Sequence, residues 1–121
     1  MNAINWFELF VHDFDRAREF YEHALASKLT IEDGMGRRMA LFPYTPEQGV
    51  GGCLCESEEC QPGAGGTLVY LNVEGQLDNV LQRVPDAGGA IIQSKMSIAP
   101  NGYIAVIKDS EGNVVGLHSM S

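Results

Sequence analysis

Three residues that can exchange protons or hydrogen-bond a ligand, Glu8, Tyr70 and His118, each lie in a stretch that reads as a β-strand. If the three strands converge, these side chains can meet and hold a small molecule by hydrogen bonds. Histidine changes charge near neutral pH, so His118 is a candidate proton acceptor that Glu8 would orient. Two other interpretations stay open. Glu8 and His118 can be a structural pair with Tyr70 lining a cavity, or the three can be a surrogate metal site, although Tyr is a poor ligand for most divalent ions.

Three cysteines, Cys53, Cys55 and Cys60, lie within eight residues of one another. In a cytosolic chain we expect them to be reduced. A zinc cluster would favour a C-x2-C pair or a nearby His, and this stretch has neither. Cys53 and Cys55 share one face of a predicted strand. The simplest interpretation is that both cysteines serve there as small apolar side chains. Their role stays open.

Trp6 is predicted to stand on the same strand face as Glu8, because alternate residues of a strand point the same way. An aromatic wall beside an acidic group suits a flat or cationic organic ligand, through stacking and cation–π contact. The other aromatic residues are expected to lie mostly in the core.

Composition narrows the class of partner. The net charge of −8, with only eight basic residues, disfavours nucleic acid and anionic membranes as partners. The acidity keeps a small protein soluble, or it favours cationic ligands. The 121 residues fit one domain, and no apolar run approaches the roughly 20 residues that span a bilayer. The first five residues lack the features of a signal peptide, so we expect a cytoplasmic protein.

The elements that must position these residues occur twice. Residues 6–11 read as a strand followed by a helix over 14–26, and residues 68–73 read as a strand followed by a helix over 77–87. Each half continues into short strands, predicted over residues 38–42 and 52–56, then 90–92, 103–108 and 114–118. The chain is therefore expected to be one domain of two βαβββ modules, about residues 1–60 and about residues 66–121.

Helical periodicity predicts which residues each helix buries. Asp13 or Asp15 is the expected N-cap of the first helix. The second helix should kink or end around Val84, because Pro85 removes a helical N–H bond. The buried stripes are predicted to be Phe14, Ala17, Tyr21 and Leu25 in the first helix, and Leu77, Val80, Leu81 and Val84 in the second.

Three motifs carry a family resemblance: Val11-x-Asp13-x-Asp15-Arg16-Ala17-x-x-Phe20-Tyr21, Asp86-Ala87-Gly88-Gly89 and Asp109-x-Glu111-Gly112-Asn113. The chain resembles the vicinal oxygen chelate superfamily of glyoxalase I, extradiol dioxygenases, fosfomycin-resistance enzymes and bleomycin-resistance proteins. It is most similar to the small glyoxalase-like bacterial members. The resemblance implies an α+β fold of two tandem βαβββ modules, in a curved mixed sheet or half-open barrel around a cavity. It also implies a homodimer.

In metal-dependent members of this family, His, Gln or Glu ligands project from the first strand of each module and from the last strands. The matching positions here are Trp6, Leu68 and Gly116, and none of them offers a donor to a divalent ion. Glu56 is the one remaining candidate ligand, and a single carboxylate cannot form a catalytic metal site that normally has three or four protein ligands. We therefore expect no metal and no cofactor. Glu8, Tyr70 and His118 lie two residues further along these strands, on the same faces.

These observations predict a metal-independent small-molecule-binding protein of the glyoxalase/bleomycin-resistance type. Its ligand, aromatic or cationic, would contact Trp6, Glu8, Tyr70 and His118. One alternative is a divalent-metal-dependent lyase, isomerase or dioxygenase with an atypical ligand set of Glu8, Glu56 and His118. Another is an interaction module whose vestigial cavity is filled by Trp6, Leu68 and Tyr70.

Overall fold

The computed structural model describes residues 1–34, 36–58 and 60–121. Its element order is βαβββ twice, which confirms the predicted α+β fold of two such modules. The elements are β1 (Ile4–Phe10), α1 (Phe14–Leu25), β2 (Thr30–Gly34), β3 (Arg37–Leu41), β4 (Gly51–Cys55), β5 (Thr67–Asn72), α2 (Leu77–Arg83), β6 (Ala90–Ser97), β7 (Tyr103–Lys108) and β8 (Val114–Ser119).

The chain divides into two compact units. The first unit is Trp6–Thr67, and the second combines Met1–Asn5 with Leu68–Ser121. The N-terminal residues belong to the second unit because they bond to the end of β5: the Asn72 backbone N–H donates to the Ala3 carbonyl over 2.8 Å.

In the first unit the strand order is β2-β3-β4-β1. The pair β1–β4 is parallel, with Glu8 opposite Cys53 and Phe10 opposite Cys55, and the other two pairs are antiparallel. Helix α1 packs on one face through an apolar core made of Phe14, Leu29, Ala40 and Leu54, with Leu9, Val11, Ala17, Tyr21 and Phe42 around it. Leu9 and Val11 therefore face the helix, as strand alternation predicts.

The second unit repeats this plan, with the strand order β5-β8-β7-β6. Strand β5 runs parallel to β8, and Tyr70 lies opposite Gly116. The core under α2 consists of Leu77, Val84, Ala105, Ile107 and Leu117. Val80 and Leu81 pack against that core, which confirms the predicted stripe of the second helix.

The limits of the helices follow from their caps. The Asp13 carboxylate accepts the Arg16 backbone N–H over 3.0 Å, so Asp13 is the N-cap of α1. The helix ends at Ala26, which has a left-handed backbone with φ of 51°. The prediction that Leu25 is buried is wrong: it is 55 % exposed, because it lies in the last turn, beyond the core. Helix α2 ends at Arg83 with Val84 as its cap, close to the predicted break. Among the described residues, neither helix is long and apolar enough to cross a membrane.

Two strands differ from the sequence prediction. Strand β2 was not predicted, and β6 runs to Ser97 rather than ending at Ile92. Both lie at the far end of their unit's strand order, and nearly all of their residues are exposed. An exposed strand has no buried face, so its sequence lacks the apolar alternation on which strand prediction depends.

Candidate functional site

The face of the first unit's sheet away from α1 carries most of the reactive side chains of that unit. Because β1 and β4 are in parallel register, Glu8, Cys53, Phe10 and Cys55 point to this face, while Leu54 points into the core under α1. Glu8, Cys53 and Cys55 are all buried, and one donor atom of each lies within 4.8 Å of the others. We call these three residues the thiol–carboxylate cluster.

The buried carboxylate of this cluster has a cationic partner. Arg37 Nη2, at the start of β3, donates to Glu8 Oε2 over 2.9 Å. The Glu8 side chain is 6 % exposed and that of Arg37 is 36 % exposed. A buried charge is costly unless it is paired, and Arg37 supplies the paired cation. What Glu8 offers to a ligand is thus one half of an ion pair rather than an isolated negative charge.

The two cysteines of the cluster are thiols, as is Cys60. The interaction between the neighbouring thiols raises the pKa of Cys53 and lowers the pKa of Cys55. Burial raises the pKa of Cys53 further. The pair thus behaves as a coupled unit in which Cys55 is the sulfur that loses its proton more readily.

An aromatic corner, formed by Trp6 and Tyr44, lies on the same face. The two rings meet edge to face, with centroids 6.1 Å apart and planes at 76°. Gly51, opposite Trp6, leaves room for this contact, since a Cβ at that position would lie 2.7 Å from the Tyr44 ring. Trp6 is half-buried and Tyr44 is 41 % exposed, so both rings present surface to solvent.

The other two predicted site residues lie in the second unit. Tyr70 is 5 % exposed, and its ring covers Gly116. His118 is half-buried, and both of its ring nitrogens have partners: Nδ1 lies 2.8 Å from the Asn5 side-chain amide, and Nε2 donates to the Asn101 carbonyl over 2.7 Å. Because a carbonyl oxygen can only accept, Nε2 carries a proton. That Glu8, Tyr70 and His118 act on one ligand stays a prediction.

The positions that hold a divalent ion in metal-dependent members of the family do not fit one here. Trp6 and Leu68 carry no donor, and Gly116 has no room for a side chain because the Tyr70 ring occupies the space of its Cβ. Glu56 lies just beyond the end of β4 and is exposed. Among the described residues, the three donors that lie close enough to share an ion are instead Glu8, Cys53 and Cys55.

Sequence reasoning missed two residues of this face, Arg37 and Tyr44. No local signal marks Arg37, since its contact with Glu8 spans 29 residues and depends on the strand order. Tyr44 had no signal either, because Gly51, which its ring approaches, lies outside the strand predicted over residues 52–56.

An open hollow of about 270 Å³ lies beside the other end of the ion pair. It is lined by Asp33, Gly34, Gly36, Arg37 and Arg38 of the β2–β3 hairpin. Arg37 therefore joins the buried Glu8 carboxylate to a part of the surface that solvent reaches.

Fold and sequence together define a protein of paired βαβββ modules, and the family follows from the sequence. The chain belongs to the Glyoxalase/Bleomycin resistance protein/Dioxygenase superfamily, whose family model matches residues 3–117. This confirms the resemblance seen in the three motifs. No curated protein matches the sequence.

Solved structures share the fold at low sequence identity. Methylmalonyl-CoA epimerase from Mycobacterium tuberculosis is 21% identical, with a TM-score of 0.68 over 98% of this chain and 88% of that one. A variant of methylmalonyl-CoA epimerase from Streptomyces coelicolor, in complex with 2-nitronate-propionyl-CoA, is 18% identical, with a TM-score of 0.69 over 99% and 98%. A hypothetical protein from Bacillus halodurans is 18% identical, with a TM-score of 0.70 over 98% and 94%. At these identities the likeness establishes the fold alone.

Proposed function

We propose that this protein binds a small aromatic organic molecule without using a divalent ion at the family's metal positions. The observation that carries the proposal is the aromatic corner of Trp6 and Tyr44, which stands on the sheet face opposite α1 and is open to solvent. Two rings at right angles offer a flat ligand one face to stack on and one edge to contact.

Two further observations support this function. Trp6, Leu68 and Gly116, at the family's metal-binding positions, offer no donor atom, and the Tyr70 ring covers Gly116. Binding of an organic molecule without a metal ion at these positions fits the three residues better. The superfamily's name joins glyoxalases, bleomycin-resistance proteins and dioxygenases, so one scaffold carries several functions.

The polar edge of the ligand would meet the Glu8–Arg37 ion pair. Since Glu8 is already neutralised by a guanidinium 2.9 Å away, a cationic ligand gains little there, and the proposal favours a neutral aromatic molecule over a cation. Glu8 then acts chiefly by holding Arg37 in position. We propose separately that Tyr70 and His118 contact the same ligand. Substitution of each residue, followed by measurement of ligand affinity, tests this part.

Trp6 is the only tryptophan of the chain, so its fluorescence reports directly on the aromatic corner. A screen of planar aromatic compounds should yield ligands that change Trp6 emission. CoA thioesters belong in the screen as a comparison class, because one of the similar structures holds a CoA derivative. Calorimetry then gives the affinity of each ligand for the variants, independently of fluorescence.

Tyr44→Leu and Trp6→Leu should each weaken binding by roughly 10-fold or more, since an aromatic contact contributes on the order of 1 kcal/mol beyond the buried area. The matched control is Phe20→Leu, which removes an exposed aromatic ring from α1. Equal loss in all three variants, or no loss in the first two, would contradict a ligand at the aromatic corner.

A further inference from the structure

We propose that the thiol–carboxylate cluster is a binding site for one thiophilic divalent cation of the Zn²⁺ and Cd²⁺ class, held by Cys53 Sγ, Cys55 Sγ and a Glu8 carboxylate oxygen. None of Trp6, Leu68 and Gly116, which match three of the family's metal positions, belongs to this site. The site lies wholly within the first unit. It is independent of the ligand proposed above.

The spacing of the donors suits such an ion. A tetrahedral zinc ion with Zn–S bonds of about 2.3 Å holds two sulfurs about 3.8 Å apart. Here the two sulfurs and the carboxylate oxygen lie within 4.8 Å of one another. The parallel register of β1 and β4 fixes Glu8 opposite Cys53, and strand alternation fixes Cys55 on the same face. Donors placed by two paired strands need only small side-chain movements to close on an ion.

The charge balance also suits a divalent ion. Without metal, the Glu8 carboxylate and the Arg37 guanidinium cancel, and the two thiols are neutral. When a divalent cation binds, each sulfur exchanges its proton for a bond to the metal, so two protons leave as two positive charges enter. Two thiolates, one carboxylate, the guanidinium and the ion then sum to zero. A buried site that stays neutral in both states avoids the cost of an uncompensated charge.

Arg37 takes the role of an outer partner in this arrangement. Its Nη2 donates to one oxygen of the Glu8 carboxylate, Oε2, and a carboxylate has a second oxygen that can bind an ion. Outer partners of this kind orient a ligating carboxylate. Since the Arg37 side chain is 36 % exposed and borders the hairpin hollow, its movement would open a route from solvent to the buried sulfurs.

Three protein ligands leave a fourth position for water or for an atom of a small molecule. Soft sulfur donors favour zinc and cadmium over magnesium and calcium, which prefer oxygen. The chemistry of the donor set therefore identifies the class of cation.

The test is a titration of reduced, chelator-treated protein with Cd²⁺. Binding should give a thiolate-to-cadmium absorption band in the ultraviolet, and native mass spectrometry should give one ion per chain. Mg²⁺ should not compete. Cys53→Ser and Cys55→Ser should each weaken Cd²⁺ binding by more than about 100-fold, and Glu8→Gln by about 10- to 100-fold.

Cys60→Ser is the matched control, because it removes the third thiol, which lies outside the cluster. Its Cd²⁺ affinity should equal that of the unchanged protein. Circular dichroism without metal checks that each variant is folded. If a serine variant fails to fold, the intensity of the band in the unchanged protein still reports whether two thiolates bind the ion. Absence of the band, retention of Cd²⁺ by folded Cys53→Ser, or loss in Cys60→Ser would overturn the proposal.

Discussion

Glu8 shows how one buried charge organises the surrounding side chains. Its carboxylate lies on the sheet face that strand alternation predicts, between the cysteines of β4 and the guanidinium of Arg37. The ion pair is much better shielded from water than the pair of Lys28 and Glu22 at the surface, where the atoms are 3.9 Å apart and the lysine is 92 % exposed. Shielding strengthens the attraction and makes the loss of either partner costly.

The change Arg37→Met should therefore destabilise the protein by about 1–3 kcal/mol, because it leaves a buried carboxylate without its cation. The loss should be smaller when Glu8→Gln is already present, since a neutral amide needs no cation. Urea denaturation of the two single variants and the double variant measures this difference. As a control, Lys28→Met should change stability by less than about 1 kcal/mol. Equal losses for Arg37→Met in both backgrounds would show that the pair contributes nothing specific.

Gly116 illustrates a second effect at the scale of single residues. The Tyr70 ring occupies the space that a Cβ of residue 116 would need, so Gly116→Ala should cost about 1–3 kcal/mol in thermal or chemical unfolding. The smaller side chain of Tyr70→Leu should relieve part of that cost. Gly65→Ala is the control, because a Cβ there meets no atom within 4 Å and the backbone is not left-handed. A Gly116→Ala variant as stable as Gly65→Ala would mean that the ring does not fix this position.

At the scale of elements, the sequence predicts well where local chemistry decides the structure. Asp13 caps α1, and α2 ends next to Pro85, because a cap and a proline act within a few residues. The exposed strands β2 and β6 could not be located in the same way, since their residues bury no continuous face. Trp6 and Glu8 were assigned to the correct face by alternation. Arg37 could not be found, because its pairing with Glu8 depends on which strands are neighbours in the sheet.

The turn between β7 and β8 yields a prediction about pH. The Asp109 carboxylate accepts hydrogen bonds from the Asn113 side chain and from the backbone N–H groups of Asn113 and Glu111. These bonds favour the ionised form and lower the pKa of Asp109, the largest contribution coming from the Asn113 side chain. A carboxyl group whose pKa is lowered by folding stabilises the fold above its unfolded pKa of about 3.9, and that stabilisation is lost as the pH falls through the lower, folded pKa.

Stability measured from pH 6 to pH 2 should therefore separate the unchanged protein from Asp109→Ala. The difference in free energy of unfolding should be constant above about pH 5 and should shrink below about pH 4. Asp86→Ala, which removes an exposed carboxylate from the turn after α2, is the control for general acid effects. A difference that stays constant down to pH 2 would exclude a contribution from the ionised Asp109 side chain.

At the scale of the whole molecule, the expected homodimer remains a prediction drawn from the family. Native mass spectrometry and light scattering of the unchanged protein should give twice the mass of the chain at micromolar concentration. A mass equal to that of one chain would contradict it. The division of the chain into two compact units, each with a βαβββ element order, agrees with the repeat that the sequence displays.

Two proposed sites with different chemistry lie in this one small protein. The aromatic corner is proposed to bind an organic ligand, and the thiol–carboxylate cluster is proposed to bind a soft cation. Cys53→Ser should abolish binding of the cation and leave binding of the organic ligand unchanged. Trp6→Leu should weaken binding of the organic ligand and leave binding of the cation unchanged. The two proposals can thus fail separately.

The most direct test of the central claim is the affinity of an aromatic ligand from the screen, measured by calorimetry before and after treatment with a strong chelator. We expect the same dissociation constant in both samples, and a value at least about 10-fold higher for Trp6→Leu. Binding that disappears with the chelator and returns with a divalent ion, at unchanged affinity for Trp6→Leu, would contradict this expectation. That result would favour the metal-dependent lyase, isomerase or dioxygenase instead.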